Sequence, residues 1–84
     1  MQVNVKLMGW LRHYLRDGIE EFDDRDLEVA DDQTVGGLAA WLGFRHELDF
    51  LALVNGERVP PDRFDDTRLG AGDEVVYIPP LKGG

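Results

Sequence analysis

The chain is poor in the side chains that ordinarily do covalent chemistry. It has no serine and no cysteine, and its two threonines, Thr34 and Thr67, have no histidine in an obvious partner position. A nucleophile activated by an adjacent base is therefore not available from this pattern. The two histidines, His13 and His46, lie among charged residues and lack the four-residue helical spacing of a metal-binding pair; they read as solvated surface residues. The acidic run Glu20, Glu21, Asp23, Asp24 and Asp26 lacks the alternating ligands, central glycine and closing glutamate of a calcium loop, and reads as a solvated loop. No glycine fingerprint opens a helix and no phosphate loop is present. Gly36-Gly37 at a helix start could offer bare amides to an anion, but Asp31 and Asp32 beside them oppose it.

What remains is the carboxyl end, Tyr77-Ile78-Pro79-Pro80-Leu81-Lys82-Gly83-Gly84. Glycine has no Cβ, so a Gly-Gly end is thin enough to thread a narrow channel without a side chain to clash. Pro79 and Pro80 bias the base of this tail toward an extended, projecting form, although they would equally serve as a plain strand stop. A frayed terminus without a role is the competing explanation.

The elements that must carry such a tail follow from periodicity. Val3, Val5 and Leu7 alternate with polar residues, predicting a half-buried strand over 2–7 that Gly9 ends. Trp10, Leu11, Tyr14 and Leu15 predict one or two helical turns over 10–17, stopped by Gly18. Residues 20–24 read as an acidic loop, and alternation resumes over 26–29 as a second strand. Thr34 is a suitable N-cap, and Val35, Leu38, Ala39 and Leu42 form one apolar stripe of a helix that Gly43 stops. Gly36 and Gly37 weaken its first turn by up to ~1 kcal/mol each relative to alanine, so it must depend on packing against a sheet.

The apolar run 50–54 predicts a strand buried on both faces or nearly so. Asn55-Gly56 is a strong hairpin signal, Arg58-Val59 the return strand, and Pro60-Pro61 its end. A connection over 62–69, with room for a single helical turn, leads to the turn Gly70-Ala71-Gly72-Asp73 and a last strand over 74–78. One layer of strands with one main helix across it is an α+β roll, spanning residues 1–78, with 79–84 as its tail.

A chain of 84 residues bounds the options further. One domain of this size buries only about 60% of the surface its unfolded form exposes, which leaves no room for an enclosed active site and favours a carrier, subunit or binding module over an enzyme. Asp and Glu number 17 against 9 Lys and Arg, a net charge of −8. That field repels phosphate backbones and anionic lipid, which argues against nucleic-acid and membrane partners. It would attract a basic protein surface, or simply keep the chain soluble. Without cysteine, leader-like segment or long apolar run, the cytoplasm is the expected location.

Several short motifs together carry a family resemblance: Val3-Asn4-Val5-Lys6-Leu7, Asp32-Gln33-Thr34-Val35, Val54-Asn55-Gly56-Glu57, Leu69-Gly70-Ala71-Gly72-Asp73-Glu74-Val75 and the final Pro79-Pro80-Leu81-Lys82-Gly83-Gly84. Gly-Asp-Glu-Val followed by Pro-Pro and a terminal Gly-Gly, in that order and spacing, resembles the MoaD/ThiS sulfur carriers. The resemblance implies the β-grasp fold of ubiquitin, a mixed sheet of four to five strands with one helix. The Pro-Pro is more like the MoaD side; Ile78 stands where MoaD proteins usually carry an aromatic residue, and the stretch 10–25 is longer and more acidic than the family leads one to expect.

The resemblance further implies that a ubiquitin-activating-type enzyme uses ATP and Mg²⁺ to adenylate Gly84, and that a persulfide donor converts it to a thiocarboxylate. The carrier itself would hold no cofactor or metal. Sulfur would pass to a molybdopterin precursor on a large synthase subunit, or, in ThiS-like carriers, into thiamin or an amino-acid route. Gly83, Leu81, Pro80 and Pro79 are the implied partner contacts. A covalent protein modifier and an inert ubiquitin-like interaction domain are the competing roles. Gly83→Ala should leave the fold intact yet block adenylation; normal adenylation of that variant, followed by ATP–pyrophosphate exchange, would refute the threading of the tail.

Overall fold

A computed structural model describes residues 1–45 and 48–80. Of the residues singled out from sequence, His46, Leu81, Gly83 and Gly84 lie outside the described residues. Strand β1 (Gln2–Leu7) leads through a short 3-10 segment (Gly9–Tyr14) to β2 (Asp24–Glu28). Helix α1 (Val35–Leu42) follows, then β3 (Leu51–Val54), β4 (Glu57–Val59), a 3-10 turn (Pro61–Arg63) and β5 (Glu74–Ile78). The strands form one mixed five-stranded sheet in the order β2-β1-β5-β3-β4. β5 runs parallel to β1 and antiparallel to β3, while β1–β2 and β3–β4 are antiparallel. This is the α+β roll with one main helix across a mixed sheet that the sequence predicts.

Alternation decides which face of the sheet is covered. Val3, Val5 and Leu7 of β1, Ala52 of β3, Val59 of β4, and Val75 and Tyr77 of β5 are buried against α1, whose Val35, Leu38, Ala39 and Leu42 are buried in turn. An isolated helix of this length would not persist in water, so this packing holds it, each large side chain contributing about 1.5–3 kcal/mol. Thr34 caps it as expected, its Oγ accepting from the Gly37 amide at 3.0 Å, and Gly43 closes it in the left-handed region at φ 108°. Tyr77 lies at the centre of the core. Its ring meets Phe44 and Phe50 edge-on at 5.7 and 5.6 Å, and its hydroxyl donates to the Val35 carbonyl at 2.8 Å.

Two motifs that sequence reading treats separately meet at the start of β5. Asn55 in the β3–β4 turn donates its backbone N–H to the Glu74 carbonyl, and its side-chain oxygen accepts from the Glu74 amide, at 2.8 and 2.9 Å. Its Nδ2 donates to the Asp73 carboxylate at 3.0 Å, and the other oxygen of that carboxylate accepts from the Gly70 amide. The Asp73 carbonyl accepts from Asn4 of β1. One network therefore sets the register of β5 against both neighbours.

Four expectations need correction. The segment after β1 is helical only to Tyr14, and Leu15 is extended, because the Arg16 amide donates to the Leu42 carbonyl and draws the chain to the end of α1. β2 begins at Asp24 rather than Asp26, since Asp24 pairs with Lys6 and the carboxylates of both Asp24 and Asp26 accept from Asn4 Nδ2. β3 is fully buried on one face alone, with Leu51 and Leu53 only partly buried on the other. Gly36 is not merely weak helix: a Cβ there would run into the Asp65 carboxylate and stand 3.2–3.3 Å from Phe64, whose carbonyl accepts from the Gly36 amide.

Gly36→Ala should accordingly destabilise the fold by about 1–3 kcal/mol in urea unfolding, despite alanine's better helix propensity. Burial raises the Tyr77 phenol above its ordinary value, so the folded state keeps its proton where the unfolded state loses it. Its contribution is then complete below about pH 10 and falls as pH rises further, by about 1.4 kcal/mol per unit. Tyr77→Phe should lose about 1 kcal/mol at neutral pH and abolish that part of the alkaline slope.

Candidate functional site

The end of β5 is the last described structure before the tail. Ile78 still pairs with Leu51 of β3, and Pro79 and Pro80 follow, half-buried. On the opposite edge the Met8 amide donates to the Tyr77 carbonyl at 2.9 Å, extending the β1–β5 ladder by one residue. Neither proline could donate to a ladder, so the two end pairing there. The tail root therefore leaves the sheet from its centre, not from an edge.

The uncovered face of the sheet runs to that root. Leu51 and Leu53 of β3 stand beside Ile78 and Val76 of β5 and form an apolar stripe. Arg58 of β4 pairs opposite Leu53 at one flank. At the other flank Lys6 of β1 bridges to Glu74 at 3.0 Å, and beyond it stand Asp24, Asp26 and Glu28 of β2, which present a row of carboxylates. The hydrogen bond that Lys6 Nζ donates to the Glu74 carboxylate, then the charge of that carboxylate, raise the Lys6 ammonium above its ordinary value. Both side chains are solvent-exposed, so the bridge orients charge and adds little stability. Apolar residues on both parities of 51–54 and 75–78 were the sequence signal for this second apolar face.

The other sequence candidates do not converge. His13 lies on the surface with Nδ1 3.1 Å from a Glu21 carboxylate oxygen. Asp23 is bridged to Arg12 at 2.9 Å, and Asp24 and Asp26 accept from Asn4, so the acidic run is divided among separate partners. Among the described residues no group of three or more His, Asp or Glu side chains is placed to hold a metal ion. The first amides of α1 are already occupied: Val35 donates to Thr67 O, Gly36 to Phe64 O and Gly37 to Thr34 Oγ, which removes the anion site considered for Gly36-Gly37. Among the described residues no helix is long and apolar enough to cross a membrane.

The family model described as ThiS matches residues 5–84. The chain belongs to the ThiS family. Members of this family are small carrier proteins of the ThiS/MoaD kind. No curated protein matches the chain. Among solved structures, SAMP1 from Haloferax volcanii is 22% identical over the whole of both chains, with a TM-score of 0.69. The thiamine biosynthesis protein ThiS from Geobacter metallireducens is 21% identical, with 96% of this chain and 99% of that one covered and a TM-score of 0.62. A chain of the complex between subunits 1 and 2 of the Helicobacter pylori molybdopterin-converting factor is 22% identical over the whole of both chains, with a TM-score of 0.61. At these identities the likeness is one of fold, the ubiquitin-like β-grasp.

For a ThiS-family chain the outer face should behave as free surface. Leu53→Asp or Val76→Asp should cost about 1 kcal/mol or less in urea unfolding. Ala52→Asp, one residue along β3 and facing α1, should prevent folding, because it buries an unpaired charge.

Proposed function

We propose that this ThiS-family chain carries sulfur on the carboxylate of Gly84. The observation that carries this reading is the family match, which runs through the terminal Gly83-Gly84; the central exit of Pro79-Pro80 beside an uncovered apolar stripe supports it. A free carboxylate is a poor electrophile. In the activating partner, an oxygen of Gly84 attacks the α-phosphorus of Mg·ATP and expels pyrophosphate. The terminal sulfur of a protein persulfide then attacks the acyl carbon and expels AMP. A second thiol cleaves the resulting acyl disulfide, leaving the thiocarboxylate on Gly84 and a disulfide on the donor. The thiocarboxylate is a soft nucleophile at neutral pH and passes its sulfur to an acceptor. ATP and Mg²⁺ belong to the partner; the carrier supplies a surface and a reactive end.

The surface is the stripe Leu51, Leu53, Val76 and Ile78, with Pro79, Pro80, Leu81 and Gly83 leading into the partner's channel. The carboxylates of β2 at its flank favour a partner whose facing rim is basic. For the acceptor we propose the molybdopterin precursor on a large synthase subunit, on the ground that Pro79-Pro80 resembles the MoaD side of the family. The exchange is placed in the cytoplasm, where ATP is available.

The test is the intact mass of the full chain after incubation with ATP, Mg²⁺, an activating enzyme, a persulfide donor and a dithiol. The expected result is exchange of one oxygen for sulfur, absent when residues 83–84 are deleted. An unchanged mass with several activating enzymes refutes the reading. Supplying the charged carrier to molybdopterin and to thiazole acceptor systems separates the acceptors. Because trypsin cuts after Lys82, any target lysine carrying this chain would retain a Gly-Gly remnant, and such peptides in cell extract would instead establish a protein modifier.

A further inference from the structure

Pro79 packs against Gly9. The backbone of Gly9 is left-handed, φ +57°, and a Cβ built on it would stand 2.8 Å from Pro79 Cγ and 3.5 Å from Pro79 Cδ. A separation of 2.8 Å lies well inside the 3.5–4.0 Å optimum between carbon atoms, so a residue larger than glycine must displace one of the two chains. Gly9 is poorly free to yield. On one side the Met8 amide is tied to the Tyr77 carbonyl at 2.9 Å. On the other, Leu11 is fully buried, and its amide reaches back to the Met8 carbonyl at 3.3 Å. The Gly9 carbonyl accepts from Arg12 Nη1 at 3.3 Å, and the same Arg12 is bridged to Asp23 at 2.9 Å. Pro79, by contrast, lies one residue beyond the last residue of β5. Of the two, the proline is the one that would move.

We propose that Gly9 is a positioning residue for the carrier's working end: its bare Cα forms the fixed wall against which Pro79 seats, and so sets the point and direction in which Pro79-Pro80 leave the sheet. The inference rests on the carrier reading above. It assigns to the segment after β1, which carries no catalytic group, a part in how Gly84 reaches the activating partner. A misplacement of about 1 Å at the root would be carried to the reacting carboxylate and cost the near-attack geometry with ATP, while the docking stripe on the sheet stays in place. The loss should therefore fall on kcat more than on KM.

Asparagine tolerates a left-handed backbone, so Gly9→Asn keeps the turn and adds the colliding Cβ. The matched control is Gly56→Asn, since Gly56 also has positive φ, +86°, with nothing within 4 Å of its Cβ position. Thiocarboxylation of the full chain is followed by intact mass under the conditions above. For Gly9→Asn, kcat should fall about tenfold or more with KM changed by about twofold or less, while Gly56→Asn stays near wild type. Pro79→Ala removes Cγ and Cδ, so the double variant Gly9→Asn/Pro79→Ala should recover the rate of Pro79→Ala alone. Equal rates for Gly9→Asn and Gly56→Asn would overturn the proposal, as would a double variant no faster than Gly9→Asn. If Gly9→Asn does not fold, the double variant decides: folding and conversion at the Pro79→Ala rate support the seat, and failure to fold overturns it. A wild-type chain that is never converted refutes the carrier reading and this inference with it, an outcome distinct from loss confined to Gly9→Asn.

Discussion

The structure depends on β5 being paired along both edges. Its parallel neighbour β1 and antiparallel neighbour β3 lie far from it in sequence, so neither can form the sheet until the chain has closed on itself. A slip of one residue would turn Val75 and Tyr77 outward and bring Val76 and Ile78 into the core. The slip is opposed at three points. Asn55 and Asp73 hold the start of the strand, the Tyr77 hydroxyl reaches the first residue of α1, and the Met8 amide holds the far end. These same contacts determine where Pro79 emerges, so the placement of the tail root is a by-product of how the core closes.

The proposed carrier role needs an address and an end, and the described residues would supply the address and the root of the end. The proposed address is a sheet face with an apolar stripe at its centre, a row of carboxylates along β2 and Arg58 at the other flank. That asymmetry gives a partner a unique orientation on the face. Pro79-Pro80 leave from the middle of the sheet beside the stripe, so a partner covering the stripe would already be at the root. The core, the helix cap and the Asn55–Asp73 network lie behind this face or at the other end of β5, where they set geometry without meeting the partner.

Much of this was legible in the residues themselves. Alternation placed β1 and β5, Thr34 and Gly43 bounded α1, and Asn55-Gly56 marked the hairpin, because each signal is local and backbone geometry answers to it directly. The weaker readings share one cause. The helical pattern over 10–17 was cut short by a hydrogen bond from Arg16 to Leu42, and the start of β2 was drawn earlier by the side chain of Asn4; neither partner is near in sequence. Gly36 reads locally as a poor helix former, yet the close approach of Phe64 and Asp65 makes glycine the residue that fits.

The sequence by itself determined the class of fold, the strand and helix alternation, the absence of serine and cysteine side chains and the Gly83-Gly84 pair, since these follow from residue type and short-range spacing. Only the tertiary structure decided which apolar residues of β3 and β5 face out, how the hairpin and the Gly-Asp turn lock together, and that Gly9 seats Pro79. Those facts are relations between segments whose meeting depends on the sheet order, and pairing across the sheet is settled by collective burial and hydrogen bonding rather than by any one stretch of chain.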